Sequence, residues 1–225
     1  MCGRFTLRTP AAEVARQFAL AVVPELSPRY NIAPTQKVAI VRRREAAAPR
    51  ELAMVRWGLI PRWAKDTKIG ASMINARSET VDTKPAFKSA FKHRRCLVPA
   101  DGFFEWRRQG AGKQPYYISG RDGRPLAIAA LWETWQGESE AIESCTLLTT
   151  EANDLLRGLH DRMPVILSEE DYDRWLGLQA DETSKLMPLL RPFPAERLQL
   201  YAVNVLVNNP RNDVPECLER DESAA

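Results

Sequence analysis

Histidine and cysteine are scarce in this 225-residue chain, which holds two histidines and four cysteines. The cysteines stand at 2, 96, 145 and 217, far apart and without a C-x-x-C pair, so neither a zinc site nor a disulfide framework is expected. The thiols are therefore expected to be reduced, and the protein to be cytosolic. No apolar run approaches the length that crosses a membrane. Only Met1 precedes Cys2, so the apolar signal segment that goes before a lipid-anchored cysteine is missing. Gly-x-Gly-x-x-Gly and the Walker phosphate loop are also absent, which argues against a dinucleotide or P-loop fold. Without a Ser/Gly linker, a charge block or an internal repeat, residues 1–225 read as one domain. Arg42 to Pro49 looks like a hairpin loop, and residues 219–225 like a disordered tail.

What is present is a 44% hydrophobic chain, enough to fill a substantial core, with a net charge of +3. That mild basicity suits nucleic acid and an ordinary enzyme equally. Thr9 and Pro10 before Ala11 to Phe18 predict an N-capped helix with Pro at its first position, and Ser168 to Asp171 opens another through Trp175. Short β-branched or aromatic segments predict strands at 37–43, 51–57, 95–98, 103–107, 115–119, 126–132, 144–150, 165–167 and 200–207. Many strands and few helices, joined by turns, imply an α+β domain with a mainly antiparallel, barrel-like β core and flanking helices.

The chain opens Met1-Cys2-Gly3-Arg4-Phe5. Removal of Met1 leaves a cysteine whose α-amine and thiol lie on adjacent carbons. The amine titrates near pH ~8, so a fraction is neutral at physiological pH and attacks aldehydes to give imines. The thiol then closes a five-membered thiazolidine, an intramolecular step that gains from fixed orientation. The plainer reading is a second residue that only permits Met removal.

Three polar clusters stand out. In Asp101-Gly102-Phe103-Phe104-Glu105-Trp106, alternation puts Glu105 on the face of Phe103. It is either a desolvated proton shuttle or a strand-edge carboxylate facing solvent. In Gly158 to Leu167, His160, Asp161 and Arg162 cluster at a junction into a strand; His160 acts as an acid or base, or caps a surface turn. His93 lies in Lys92-His93-Arg94-Arg95, a solvated basic stretch. In Met73 to Glu79, Asn75 offers both donor and acceptor and Arg77 a planar fork for phosphate, unless the segment is an Asx turn. Arg56 to Lys65 interleaves Trp57 and Trp63 with three cations, a composition that suits base stacking and phosphate neutralisation as well as a core.

Met-Cys-Gly-Arg-Phe, Arg29-Tyr30-Asn31-Ile32-Ala33-Pro34-Thr35, Trp57-Gly58-Leu59-Ile60-Pro61-x-Trp63, Asn75 to Thr80, Asp101 to Trp106, His160 to Pro164 and Asn208 to Leu218 together resemble the SOS-response-associated peptidase family. The resemblance implies an SRAP-like fold and a sensor of abasic sites in single-stranded DNA that becomes covalently joined to the ring-opened sugar through mature Cys2. It implies that Asn75 orients Cys2, Glu105 shuttles protons and His160 assists ring opening or reversal. It also implies a DNA-contacting set of Arg4, Arg77, Ser78 and Arg162, with Trp57 or Trp63 near the bases and Pro34 and Thr149 lining the pocket. Abasic single-stranded DNA is the implied partner, the protein is taken as monomeric, and no metal or organic cofactor is required. Lyase chemistry and self-processing of Met1 belong to the same scheme.

Two rival classes follow from the same residues. An N-terminal-nucleophile cysteine amidohydrolase also begins Met-Cys-Gly and uses the α-amine as base for the thiol. A non-catalytic single-strand binding module would need only the tryptophans and arginines.

Overall fold

A computed structural model of the chain describes residues 2–45, 48–110, 112–138, 140–177 and 180–222. Its strands run β1 (Phe5–Leu7), β2 (Arg29–Ile32), β3 (Lys37–Arg42), β4 (Glu51–Trp57), β5 (Asn75–Arg77), β6 (Arg95–Ala100) and β7 (Gly102–Gln109). They continue with β8 (Gly112–Gly120), β9 (Leu126–Gln136), β10 (Ala141–Glu151), β11 (Arg162–Pro164), β12 (Ile166–Leu167) and β13 (Leu198–Ala202). Among the described residues three short α-helices flank them: α1 (Ala11–Gln17), α2 (Lys88–His93) and α3 (Tyr172–Leu176).

Five strands form a ring. β4 pairs with β3, β3 with β6, β6 with β9, β9 with β10, and β10 returns to β4 through the parallel pairs Ser144↔Arg56 and Cys145↔Trp57. Closure removes the exposed edges that an open sheet of this length would present. Ile40, Val55, Leu97, Ile128, Leu131 and Leu147 are all buried in the shared core, as β-branched and aliphatic runs in a closed sheet must be. Arg42 is fully buried on β3, lying 4.1 Å from the Trp132 ring centroid, with Glu143 taking two of its hydrogen bonds and Glu51 a third. The second sheet has the order β13-β8-β7-β1-β2, so the chain's first strand is placed between the strand of Glu105 and the strand of Asn31.

This is the α+β, mainly antiparallel, barrel-like architecture read from the sequence, with differences at element ends. Pro10 occupies the cap of α1 rather than its first turn, and Thr9 does not cap it: its hydroxyl donates to Asp101, which also accepts from the Thr9 and Arg8 amides. The segment after Ser168 is a 3-10 turn, Glu169–Asp171, before α3 begins. The last strand stops at Ala202 and gives way to a 3-10 turn over Val205–Asn208. Arg95 is not part of a solvated basic stretch. It is buried, donates to the carbonyls of Phe91, Lys92 and Trp175, and loses enough hydration that its pKa falls to about 10.

Arg42 and Glu51 pair at the base of the β3–β4 hairpin, whose expected loop includes residues 46 and 47, outside the described residues. Glu219 and Arg220 are tied to Asn204 and Val203, so the tail read at 219–225 is ordered as far as these contacts; residues 223–225 lie outside the described residues, as does Met1. No described helix is long and apolar enough to cross a membrane.

Candidate active site

Cys2 leads directly into β1 and is fully buried. Its carbonyl accepts a hydrogen bond of 2.9 Å from Asn75 Nδ2, and its thiol points at the Arg4 carbonyl 3.9 Å away. Asn75 opens β5, held against the barrel by parallel pairing with Leu147. Its second polar atom, Oδ1, is buried without a hydrogen-bond partner among the described residues. A buried amide that uses only its donor half leaves an acceptor ready for an incoming N–H or O–H.

Glu105 projects from β7 and is 4% exposed. Burial pushes its carboxyl pKa up, while nearby His160 pulls the other way. Burial also pushes the Cys2 thiol up, and the charge of Glu105 adds to that push. The thiol is thus held neutral and must give up a proton when its sulfur bonds to carbon; a carboxylate of raised basicity beside it is suited to take that proton.

His160 follows a tight turn in which its amide bonds to the Leu156 carbonyl. Its Nδ1 accepts from the Arg162 amide at 3.0 Å and stands 2.6 Å from Asp161 Oδ1. The two contacts belong to different charge states. In the neutral ring Nδ1 accepts from Arg162 and the proton resides on Nε2; in the imidazolium Nδ1 donates to Asp161.

A cavity of about 350 Å³ opens here, lined by Arg4, Glu105, Trp106, Lys113, His160 and Asn208. Arg4 is fixed by bonds from Nη1 to Asn31 Oδ1 and the Val207 carbonyl, with its guanidinium 5.8 Å from the Trp106 ring centroid. Asn31 in turn donates to the carbonyls of Val207, Asn209 and Asn212, and Asp213 accepts from the Arg29 side chain and the Tyr30 and Asn31 amides. Trp106 Nε1 donates to Asn208 Oδ1 at 2.6 Å.

The remaining expected contacts separate. Arg162 forks onto both oxygens of Glu79 and bonds the Thr149 carbonyl; Thr149 is buried opposite Arg77 and Pro164. Arg77 is exposed, Ser78 buried and Pro34 half-buried beside Thr35, whose φ of 72° marks a tight turn. Trp57 is fully buried, its indole N–H on the Ile74 carbonyl and its ring edge-on to Phe5, so it offers no ring face to a base. Trp63 is 60% exposed on a loop that folds back where Gly58, at φ +121°, meets Gly70; a Cβ at Gly58 would stand 2.5 Å from the Gly70 carbonyl oxygen. The sequence reading assigned no role to Asn31, Trp106, Lys113 or Asn208. The first two and Asn208 stand inside motifs that had been recognised, whereas Lys113 lay in a hairpin with no distinguishing pattern.

A small α+β barrel thus carries a buried cysteine just ahead of its first strand, with a carboxamide bonded to its carbonyl and a desolvated carboxyl and an imidazole nearby. The profile of the family described as SOS response associated peptidase (SRAP) matches residues 1–210, and the chain belongs to that family. It is 41% identical over 224 residues to the abasic site processing protein YoqW of Bacillus subtilis (strain 168), covering 97% of this chain and 99% of that protein. It is 32% identical to the abasic site processing protein YedK of Escherichia coli (strain K12), over 97% of this chain and 99% of that protein. Identity to the abasic site processing protein HMCES of Gallus gallus is also 32%, over 97% of this chain and 77% of that protein. A crystal structure of a protein from Bacteroides thetaiotaomicron superposes with a TM-score of 0.87 at 28% identity, covering 98% of this chain and all of that one.

Proposed function

We propose that this protein, once Met1 is removed, captures abasic sites in single-stranded DNA as a covalent thiazolidine on Cys2. The observation that carries the reading is the 2.9 Å hydrogen bond from Asn75 to the Cys2 carbonyl, with buried Glu105 close enough to raise the thiol and His160 lining the same cavity as Glu105. The names of the relatives supply the substrate class.

An abasic deoxyribose exists mostly as a closed hemiacetal, and an acid–base group that opens it raises the reactive aldehyde population. His160, lining the cavity beside Glu105, fills that role. The neutral α-amine of Cys2 adds to the aldehyde carbon, giving a carbinolamine. Proton transfer through Glu105 releases the hydroxyl as water and leaves the imine. The Cys2 sulfur then bonds to the imine carbon while its proton passes, by way of Glu105, to the nitrogen. The balance is one aldehyde plus one aminothiol to one thiazolidine plus one water. Ring closure withdraws the imine that would otherwise promote β-elimination and strand scission, so lyase activity is the branch that the thiol suppresses. The chain acts as a cytosolic monomer in this scheme, and its residues supply every proton transfer.

The test is intact-mass measurement after incubation with single-stranded DNA bearing one abasic site. A denaturation-resistant adduct localised to the Cys2 peptide, absent from Cys2→Ala, is expected. An adduct that survives that substitution, or glutamine hydrolysis without DNA capture, would overturn the reading.

A further inference from the structure

We propose that Lys113, together with Arg108, seats a backbone phosphate of a nucleotide that flanks the abasic sugar. The inference rests on the reading of this cavity as the abasic-sugar site, and it concerns binding rather than bond making.

Two independent features support it. Lys113 is exposed and lines the same cavity as Glu105 and His160, yet it forms no ion pair among the described residues. The cavity's volume of about 350 Å³ falls within the ~300–1,000 Å³ of small-ligand sites and leaves room for more than a lone sugar.

The second feature is the register of the β7–β8 hairpin. Arg108 and Lys113 stand directly opposite one another on adjacent antiparallel strands, on the face that also carries Trp106. Like charges in that position repel. Among the described residues no carboxylate forms a salt bridge with either side chain, whereas Arg42 on β3 is neutralised by Glu51 and Glu143. An anion bridging the two cations turns the repulsion into attraction, and DNA supplies one at every nucleotide. Arg4, fixed by Asn31 and Val207, lines the same cavity as Lys113. A strand whose sugar enters toward Cys2 then passes its neighbouring phosphate along the hairpin.

The test uses the full-length protein and single-stranded DNA carrying a tetrahydrofuran abasic analogue, which binds without reacting. Lys113→Gln is expected to weaken binding about fivefold at 0.1 M salt and to reduce the slope of log affinity against log salt by about 0.7, the value for one phosphate contact on a single strand. Lys113→Arg should restore most of both. A neutral methylphosphonate, moved one phosphate at a time through the positions around the analogue, should abolish the difference between wild type and Lys113→Gln at one position only. An unchanged salt slope, or a loss indifferent to which phosphate is neutralised, would overturn the proposal. So would a Lys113→Gln protein with normal binding and a reduced maximal crosslinking rate. Failure of the wild type to crosslink would instead remove the thiazolidine reading, leaving these binding results interpretable on their own.

Discussion

Asn75 Nδ2 donates to the Cys2 carbonyl across 73 residues of sequence, which fixes the start of β1 to an edge strand of the barrel. The donor holds the Cys2 backbone, and its own Oδ1 has no hydrogen-bond partner among the described residues. Asn75→Ala strands a buried carbonyl, a loss of about 1–3 kcal/mol, and lets the amine and thiol drift from the attacking geometry. Crosslinking is expected to slow by about 10²-fold, with binding to the unreactive tetrahydrofuran analogue nearly unchanged. Equal losses in both assays would mean that Asn75 serves binding instead.

Glu105 gives a pH signature. Its folded pKa is raised, chiefly by burial, so the proton is bound more tightly in the folded than in the unfolded chain. The associated stability is fully present below the unfolded carboxyl value of ~4.3 and is lost as pH rises through the folded value. Glu105→Gln lacks this loss. The melting temperature of the variant relative to wild type should therefore climb between pH 4 and pH 8, while crosslinking slows throughout. A flat difference would contradict a raised carboxyl.

Glu79 holds the Arg162 fork and also feels the charge of Arg77. Removing its charge with Glu79→Gln frees two cations for phosphate. The exposed carboxylate contributes under about 1 kcal/mol to stability, so the variant should melt near wild type and bind single-stranded DNA more tightly, with a steeper salt dependence. Weaker binding would assign Glu79 a positioning role that outweighs its repulsion.

The two tryptophans should behave oppositely. Trp57→Ala opens the core and is expected to cost about 3–5 kcal/mol, read from chemical denaturation. Trp63→Ala should leave the denaturation midpoint in place and weaken single-strand binding by about 1–3 kcal/mol, the worth of one base stacked on an aromatic ring. A Trp63→Ala protein with unaltered binding would remove that residue from the interface.

Much of this fold could be read locally. Glu51 to Trp57 is a short apolar segment with Val55 and Trp57 near its end, and it forms a strand with those limits. Barrel closure could not be read, because the parallel pairing of β10 with β4 and β5 joins segments about 70 to 90 residues apart and no local pattern encodes it. The same limit applies to Trp57: its cationic neighbours suggested a stacking surface, but an indole is also the largest filler a core can use, and only its pairing neighbours decide which. At the site, Cys2, Glu105 and His160 were conspicuous because reactive or ionisable groups sat in apolar or junction sequence. Asn31 and Asn208 were silent in chemical terms, since their work is to hold Arg4 and Trp106 through contacts from opposite ends of the chain.

The clasp between Arg4, Asn31 and the Val207 carbonyl spans 203 residues. At ~5–20 residues per second of synthesis, the first strand waits roughly 10 to 40 seconds before its last fastener exists. Throughout that interval Arg4 lacks its last partner. The topology thereby makes the setting of this cavity wall a late event, completed from the far end of the chain.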